Sequence, residues 1–442
     1  MKKGIATILL ATMTLTACGM DPDEIPEVCT DDIVTNQETV TETEDAVTEE
    51  EEISEEAGSP VKEADIEDEE DAFVNFSMAF LNKVASEGDD SNFMVSPASL
   101  MFAMEMVAQG ASGQTRSQIQ DVLFPGMTDE EATVYASAML EAMNSASQIE
   151  LSSANSAWIN DAVAGEINAD YSASLEDLFS AQLECLPFNG EAVALMNEWV
   201  NENTKGMIPD IIESLDPDSA MVLINAVAFD ATWEDVYEED QVYEDDFTDA
   251  AGILSSVDTL HGTESIYMES ETATAFLKPY EGGEYAFVGI LPKDEDISAN
   301  EFASSFTFEE YQSLWESRSD EYIVVTSIPK FDCDYTVSLT GLLGDMGITD
   351  VFTSGAADLS GISDSLDLYV SSVIQKTHIA VDEEGTEAAA ATSVTLRYNG
   401  VISEVMDEIP EIKEVYLTRP FMYMIVDTET GTPVFTGTVN SL

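Results

Sequence analysis

An abrupt change of composition at Asp71 constrains this chain more than any other feature. Residues 19–71 are dense in Asp, Glu and Thr, contain no aromatic residue, and have Lys62 as their only base. Such a stretch buries too little apolar surface to offset its ordering entropy, and its charges repel one another. It reads as an extended, disordered linker. From residue 72 onward the chain can build a core. Phe73, Phe76, Phe80, Leu81 and Val84 recur at helical spacing and predict an amphipathic first helix. Ser96 is placed as the N-cap of a second helix, with Pro97 at its first position. Apolar runs rich in β-branched residues at Met221–Ala228, Tyr322–Ile328, Leu366–Ile374 and Phe421–Val426 predict strands. Helices dominate the first half and strands the second, so the expected class is α+β, one large domain over 72–442 without an internal linker.

Charge excludes one set of partners. The 442 residues carry 14 basic side chains against 89 acidic ones, a formal net charge of −75. No nucleic-acid partner is expected, because nothing here neutralises phosphates. Anionic lipid headgroups are disfavoured on the same ground. The acidity itself fits solubility first, and steering of basic partners second.

The N-terminus reads as an export signal over 1–17. Lys2 and Lys3 precede an apolar run from Ile5 to Leu15, too short to span a bilayer. Leu15-Thr16-Ala17-Cys18 resembles a bacterial lipobox, which implies diacylglycerol on the Cys18 thiol and a cell-envelope lipoprotein held outside the cytoplasm. Residues 18–71 would then be a lipidated acidic linker. Cys29, Cys185 and Cys333 match no zinc spacing and are assigned no chemistry. No metal and no cofactor are expected.

Enzyme chemistry finds little material. His261 and His378 are the only histidines, and no Gly-x-Ser-x-Gly, His-Glu-x-x-His or phosphate loop occurs.

Several blocks, collinear across 73–442, together point to one family. They include Asn92-Phe93-Met94-Val95-Ser96-Pro97-Ala98-Ser99, Thr204-Lys205-Gly206-Met207-Ile208, and Ile224-Asn225-Ala226-Val227-Ala228-Phe229 with Trp233. Asp358-Leu359-Ser360-Gly361-Ile362 and Arg419-Pro420-Phe421 extend the set. The whole resembles the serpins. That resemblance implies a large mixed β-sheet with two further sheets, about eight to nine helices, an exposed reactive loop, and a monomer. It also implies trapping of serine proteases, with cysteine proteases as a second class. A non-inhibitory serpin-fold binding lipoprotein is the alternative.

Glu383-Glu384-Gly385-Thr386-Glu387-Ala388-Ala389-Ala390-Ala391-Thr392 resembles the hinge of inhibitory serpins, which enters the main sheet as a strand after cleavage. The residues support this independently. Every second position from Thr386 gives Thr386, Ala388, Ala390, Thr392, Val394 and Leu396, an inward face with neither charge nor proline. No proline occurs from Gly385 to Ile409, so no ladder donor is lost. By family spacing the attacked residue is Asn399, followed by Gly400, with Arg397 and Tyr398 as alternatives. Counting back from Arg419 instead lands near Ile409, because this loop is longer than is typical of the family. A polar cluster under the sheet is implied at Ser96, Ser99, Asn197 and Gln375, where the family often has His at the last position. Trp233 is implied to lie beneath the top of the sheet, where insertion starts.

Overall fold

The computed structural model describes residues 69–88, 90–145, 149–179, 181–365, 368–386 and 410–442. The chain divides into two units, 1–57 and 58–442, and all described residues belong to the second. Six helices come early: α1 (Glu69–Glu87), α2 (Pro97–Gly110), α3 (Gly113–Leu123), α4 (Asp129–Ser145), α5 (Ala169–Phe179) and α6 (Gly190–Asn203). Strands β1 (Phe93–Val95), β2 (Ile149–Asn160) and β3 (Gln182–Leu186) are interspersed among them. Then follow β4 (Met221–Thr232), β5 (Val242–Thr248), β6 (Leu254–Glu264), β7 (Ile266–Glu269), β8 (Ala273–Pro279) and β9 (Tyr285–Pro292). After α7 (Ala299–Ser305) and α8 (Phe308–Glu316) come β10 (Tyr322–Pro329), β11 (Phe331–Ser338) and α9 (Thr340–Asp345). The last strands are β12 (Val370–Val381), β13 (Gly385–Thr386), β14 (Glu411–Tyr416), β15 (Phe421–Asp427) and β16 (Pro433–Val439).

The described residues form three sheets. One has the order β1-β16-β15-β9-β8-β7, a second β14-β10-β6-β5, and the large third β11-β12-β13-β4-β2-β3. The third is mixed, because β12 runs parallel to β4 and β3 parallel to β2, while β11 with β12 and β2 with β4 pair antiparallel. Helix α2 packs against β16 and β4, and every residue of it but Gln109 is buried. A helix apolar on all sides belongs in a core, which is where this one lies. Ser96 caps it, its hydroxyl accepting from the Ser99 N–H, with Pro97 following. In α1 the five apolar residues at helical spacing are all buried.

The strand expected at Leu366–Ile374 is corrected, since β12 runs from Val370 to Val381. The apolar run stops at Gln375, but burial continues at every second residue through Thr377, Ile379 and Val381. Hydrophobicity alone misses that register because two of the inward side chains are polar.

One feature of the large sheet positions the site. From Val370 with Met221 to His378 with Ala228, β12 and β4 are direct neighbours. Beyond that the two strands part, and the two-residue β13 stands between them.

Candidate functional site

Where β12 and β4 part, the chain turns back on itself and enters the gap. The Asp382 carboxylate accepts from the N–H groups of Glu384 (2.8 Å) and Gly385 (3.1 Å), and the Asp382 N–H donates to the Gly385 carbonyl at 2.9 Å. This local bonding closes a tight turn. Thr386 then pairs with Val381 on one side and Ala231 on the other, while Gly385 lies opposite Thr232. Glycine is required here by close approach. A Cβ on Gly385 would lie 2.1 Å from the Ala231 carbonyl oxygen and 2.8 Å from the Thr232 Cα.

Residues just after β4 hold the turn. The N–H groups of Trp233 and Tyr237 donate to the carbonyls of Glu384 and Glu383, each at 3.0 Å. The Trp233 indole N–H donates to the Asp382 carbonyl at 2.9 Å. Three consecutive carbonyls are thereby satisfied within one segment. The Lys330 ammonium bonds the Glu383 carboxylate and holds it below the usual carboxylate range. Inside the gap the Thr386 hydroxyl, 0% exposed, meets the Tyr280 hydroxyl at 2.7 Å. The Tyr280 ring stacks on Trp233, with centroids 4.6 Å apart and planes 10° from parallel. Burial pushes the Tyr280 phenol well above its ordinary value, so it stays a neutral partner.

Further along β4 and β12 lies a buried polar cluster. The Gln375 amide accepts from the Ser96 N–H (3.0 Å) and donates to the Ser96 carbonyl (3.0 Å) and the Asn225 Oδ1 (2.6 Å). Asn225 in turn donates to the Ser99 carbonyl (3.0 Å), the Ser99 hydroxyl and the Asn155 Oδ1 (2.6 Å). The Ser96 hydroxyl donates to the Val434 carbonyl at 2.9 Å. A fully connected network of this kind replaces the hydration its groups lost.

Asn197 is not part of it. Its side chain in α6 accepts from the N–H groups of Ile211 (2.9 Å) and Ile212 (3.1 Å) and donates to the Ile212 carbonyl. Placing Asn197 in the cluster is therefore corrected: its side-chain bonds go to the Ile211–Ile212 backbone, and Asn225 with Asn155 supplies the amides under the sheet. A signal for Asn225 existed, since one amide inside the run Met221–Ala228 must find buried partners. Tyr280 was missed too, and no periodicity or motif around it marks it. The two histidines lie apart from each other's surroundings: His378 Nδ1 is 2.8 Å from the Asp334 carboxylate, and the His261 ring stacks on Tyr243 at 3.7 Å. Cys333 is buried and Cys185 exposed, each with a free thiol. Ala388, Ala390, Thr392, Arg397, Tyr398, Asn399, Gly400 and Cys18 lie outside the described residues.

The fold thus defines a large mixed sheet in which Gly385 and Thr386 stand between β12 and β4. Known proteins share this fold. Residues 71–442 match the family described as Serpin (serine protease inhibitor). An uncharacterized serpin-like protein of the archaeon Thermococcus kodakarensis is 32% identical over 359 residues, covering 79% of this chain and 80% of its own. Leukocyte elastase inhibitor A of Mus musculus is 28% identical over 384 residues, covering 83% and 97%. Among solved structures, the thermophilic serpin tengpin in its native state superposes with a TM-score of 0.77 at 37% identity, covering 87% of this chain and 97% of tengpin. This chain belongs to the serpin family.

Proposed function

We propose that this protein inhibits proteases as a suicide substrate, trapping a serine endopeptidase, and as a second class a cysteine endopeptidase. The observation that carries the reading is the seating of Gly385 and Thr386 between β12 and β4. The first rung of an inserted strand is thereby in place, and the small, uncharged inward positions that follow in sequence can extend it.

The steps follow from this. The nucleophile of the protease attacks the carbonyl of Asn399, with Arg397 and Tyr398 as alternative sites. The bond to the next residue, Gly400 in the first case, breaks, its amine leaves with a proton, and an acyl-enzyme remains. The freed strand then extends from Thr386 into the sheet and carries the tethered protease with it before water can deacylate it. This protein contributes bait and stored conformational energy, and none of its side chains takes part in the chemistry. The lipobox-like Leu15-Thr16-Ala17-Cys18 supports a second proposal, a cell-envelope location with Cys18 acylated and the serpin domain outside the cytoplasm.

The test is incubation of the full chain with trypsin-, elastase-, subtilisin- and papain-like proteases. An SDS-resistant complex with at least one of them, with the cut mapped to 397–400, is expected. Cleavage with neither a covalent complex nor a gain in thermal stability would sink the inhibitory reading and favour the non-inhibitory binding lipoprotein.

A further inference from the structure

The segment Trp233–Tyr237, which holds the hinge carbonyls, rests on a buried charge pair. Lys278, near the end of β8, is 3% exposed. Its ammonium is 3.2 Å from the Glu264 carboxylate at the end of β6, and donates to the Asp235 carbonyl at 3.1 Å. It also lies over two aromatic rings, 4.3 Å from the centroid of Tyr237 and 5.3 Å from that of Trp233. These two residues are the ones whose N–H groups hold the Glu383 and Glu384 carbonyls. A single cation therefore touches the carbonyl at the middle of the segment and the aromatic faces at both its ends.

A lysine buried this deeply is retained only when it is paired, and an apolar pair of similar volume would serve packing as well or better. What the charge adds is direction. The hydrogen bond to Asp235 and the two cation–π contacts fix the segment's height above the sheet. The carboxylate of Glu264 in turn fixes the cation and ties the Trp233–Tyr237 segment to the second sheet.

We propose that Lys278 and Glu264 are positioning residues for the hinge, holding the Trp233–Tyr237 segment so that residues 382–384 present Gly385 and Thr386 to the open end of the large sheet. Under the inhibitory reading, on which this consequence rests, the pair sets how promptly the cut loop enters and so how the acyl-enzyme divides between trapping and release.

The test compares the full chain with Lys278→Met and with Lys278→Met/Glu264→Met. The double variant leaves no lone buried charge, so it folds even where the single one does not. Hydrogen exchange at the Trp233 and Tyr237 amides is expected to speed up about tenfold in both variants, the scale of losing one well-placed cation–π contact. Exchange at Leu223–Val227, in the middle of β4, stays unchanged. With a protease that wild type traps, more inhibitor is consumed per complex while the rate of first attack on the loop is unaltered. Wild-type protection of the two amides in the folded double variant overturns the proposal, as does unchanged inhibitor consumption alongside lost protection. If wild type traps no protease, the inhibitory reading falls by itself, and the exchange result still decides whether the pair positions the hinge.

Discussion

The Tyr280 and Thr386 hydroxyls meet 2.7 Å apart where β13 stands between β12 and β4. Thr386 has no exposed surface, and its neighbours across the sheet are Val381 and Ala231. An arginine there would bring a charge into an apolar slot, at a cost of several kcal/mol. Thr386→Arg is therefore expected to leave the loop attackable but unable to enter. The protein should be cut at the wild-type rate and yield no SDS-resistant complex. Retained trapping would show that the inward register is wrong.

Gly385 is pressed against the backbone of Ala231 and Thr232. Flexible side-chain atoms could yield to a new Cβ, but a neighbouring strand's carbonyl and Cα cannot without breaking the pairing. Gly385→Val is expected to expel the two-residue strand and lower the fraction of protease trapped. Exchange at the Thr386 amide, measured beside that of Val381, reads the expulsion directly.

Gln375 joins both faces of the polar cluster. Gln375→Leu would leave the Ser96 N–H, the Ser96 carbonyl and the Asn225 Oδ1 without the amide they now share. The Ser96 carbonyl keeps the Leu100 N–H, so two groups are orphaned; at about 1–3 kcal/mol each, a loss of about 2 kcal/mol or more is expected in thermal melts. Replacing Asn225 by Leu in the same chain is expected to deepen that loss, because the Ser99 hydroxyl and the Asn155 Oδ1 then lose the amide that donates to them.

Glu105 lies fully buried in α2, where burial pushes its carboxyl up to about 7 against the opposing pull of a 2.7 Å bond from Gln120. In the unfolded chain the same group ionises near 4.5. The native state thus keeps the proton across that window, and the stability Glu105 contributes is lost as pH rises from about 4.5 to about 7. Glu105→Gln does not titrate. Relative to wild type it is expected to gain about 3 kcal/mol between pH 4 and pH 8 in urea unfolding, the size of a shift this large.

Much of the architecture was written in spacing. The five apolar residues of α1, the Ser96–Pro97 helix start and the strands at Met221, Tyr322 and Phe421 each begin where a simple period or cap placed them. The site was legible where it depends on local rules, as at the inward Thr386 and the glycine before it. What depends on contacts between distant segments was not. A linear pattern marks Asn225 as one amide inside an apolar run, but it does not tell that Asn197, beside Glu198, bonds elsewhere. Their difference lies in whether the strand or the loop supplies the partners. Tyr280 and the Lys278–Glu264 pair are invisible for the same reason, since three sheets converge on them from different parts of the chain.

The pairing of Thr386 with Val381 and Ala231 carries a consequence for the rest of the loop. Strand register is arithmetic: each residue further into the sheet faces one residue earlier on both neighbours. Continued at the same count, Ala388 would meet Ile379 and Phe229, Ala390 would meet Thr377 and Val227, and Thr392 would meet Gln375 and Asn225. Those last two are paired across β12 and β4 and bonded to each other. The entering chain would therefore unzip the sheet past three rungs on either side and then reach a lock whose key is the hydroxyl it carries to that position. A structure of the cleaved protein would show whether Thr392 stands between the two amides. If it does, the molecule has a built-in milepost: up to that rung the loop can still retreat, and beyond it the amides have changed partners.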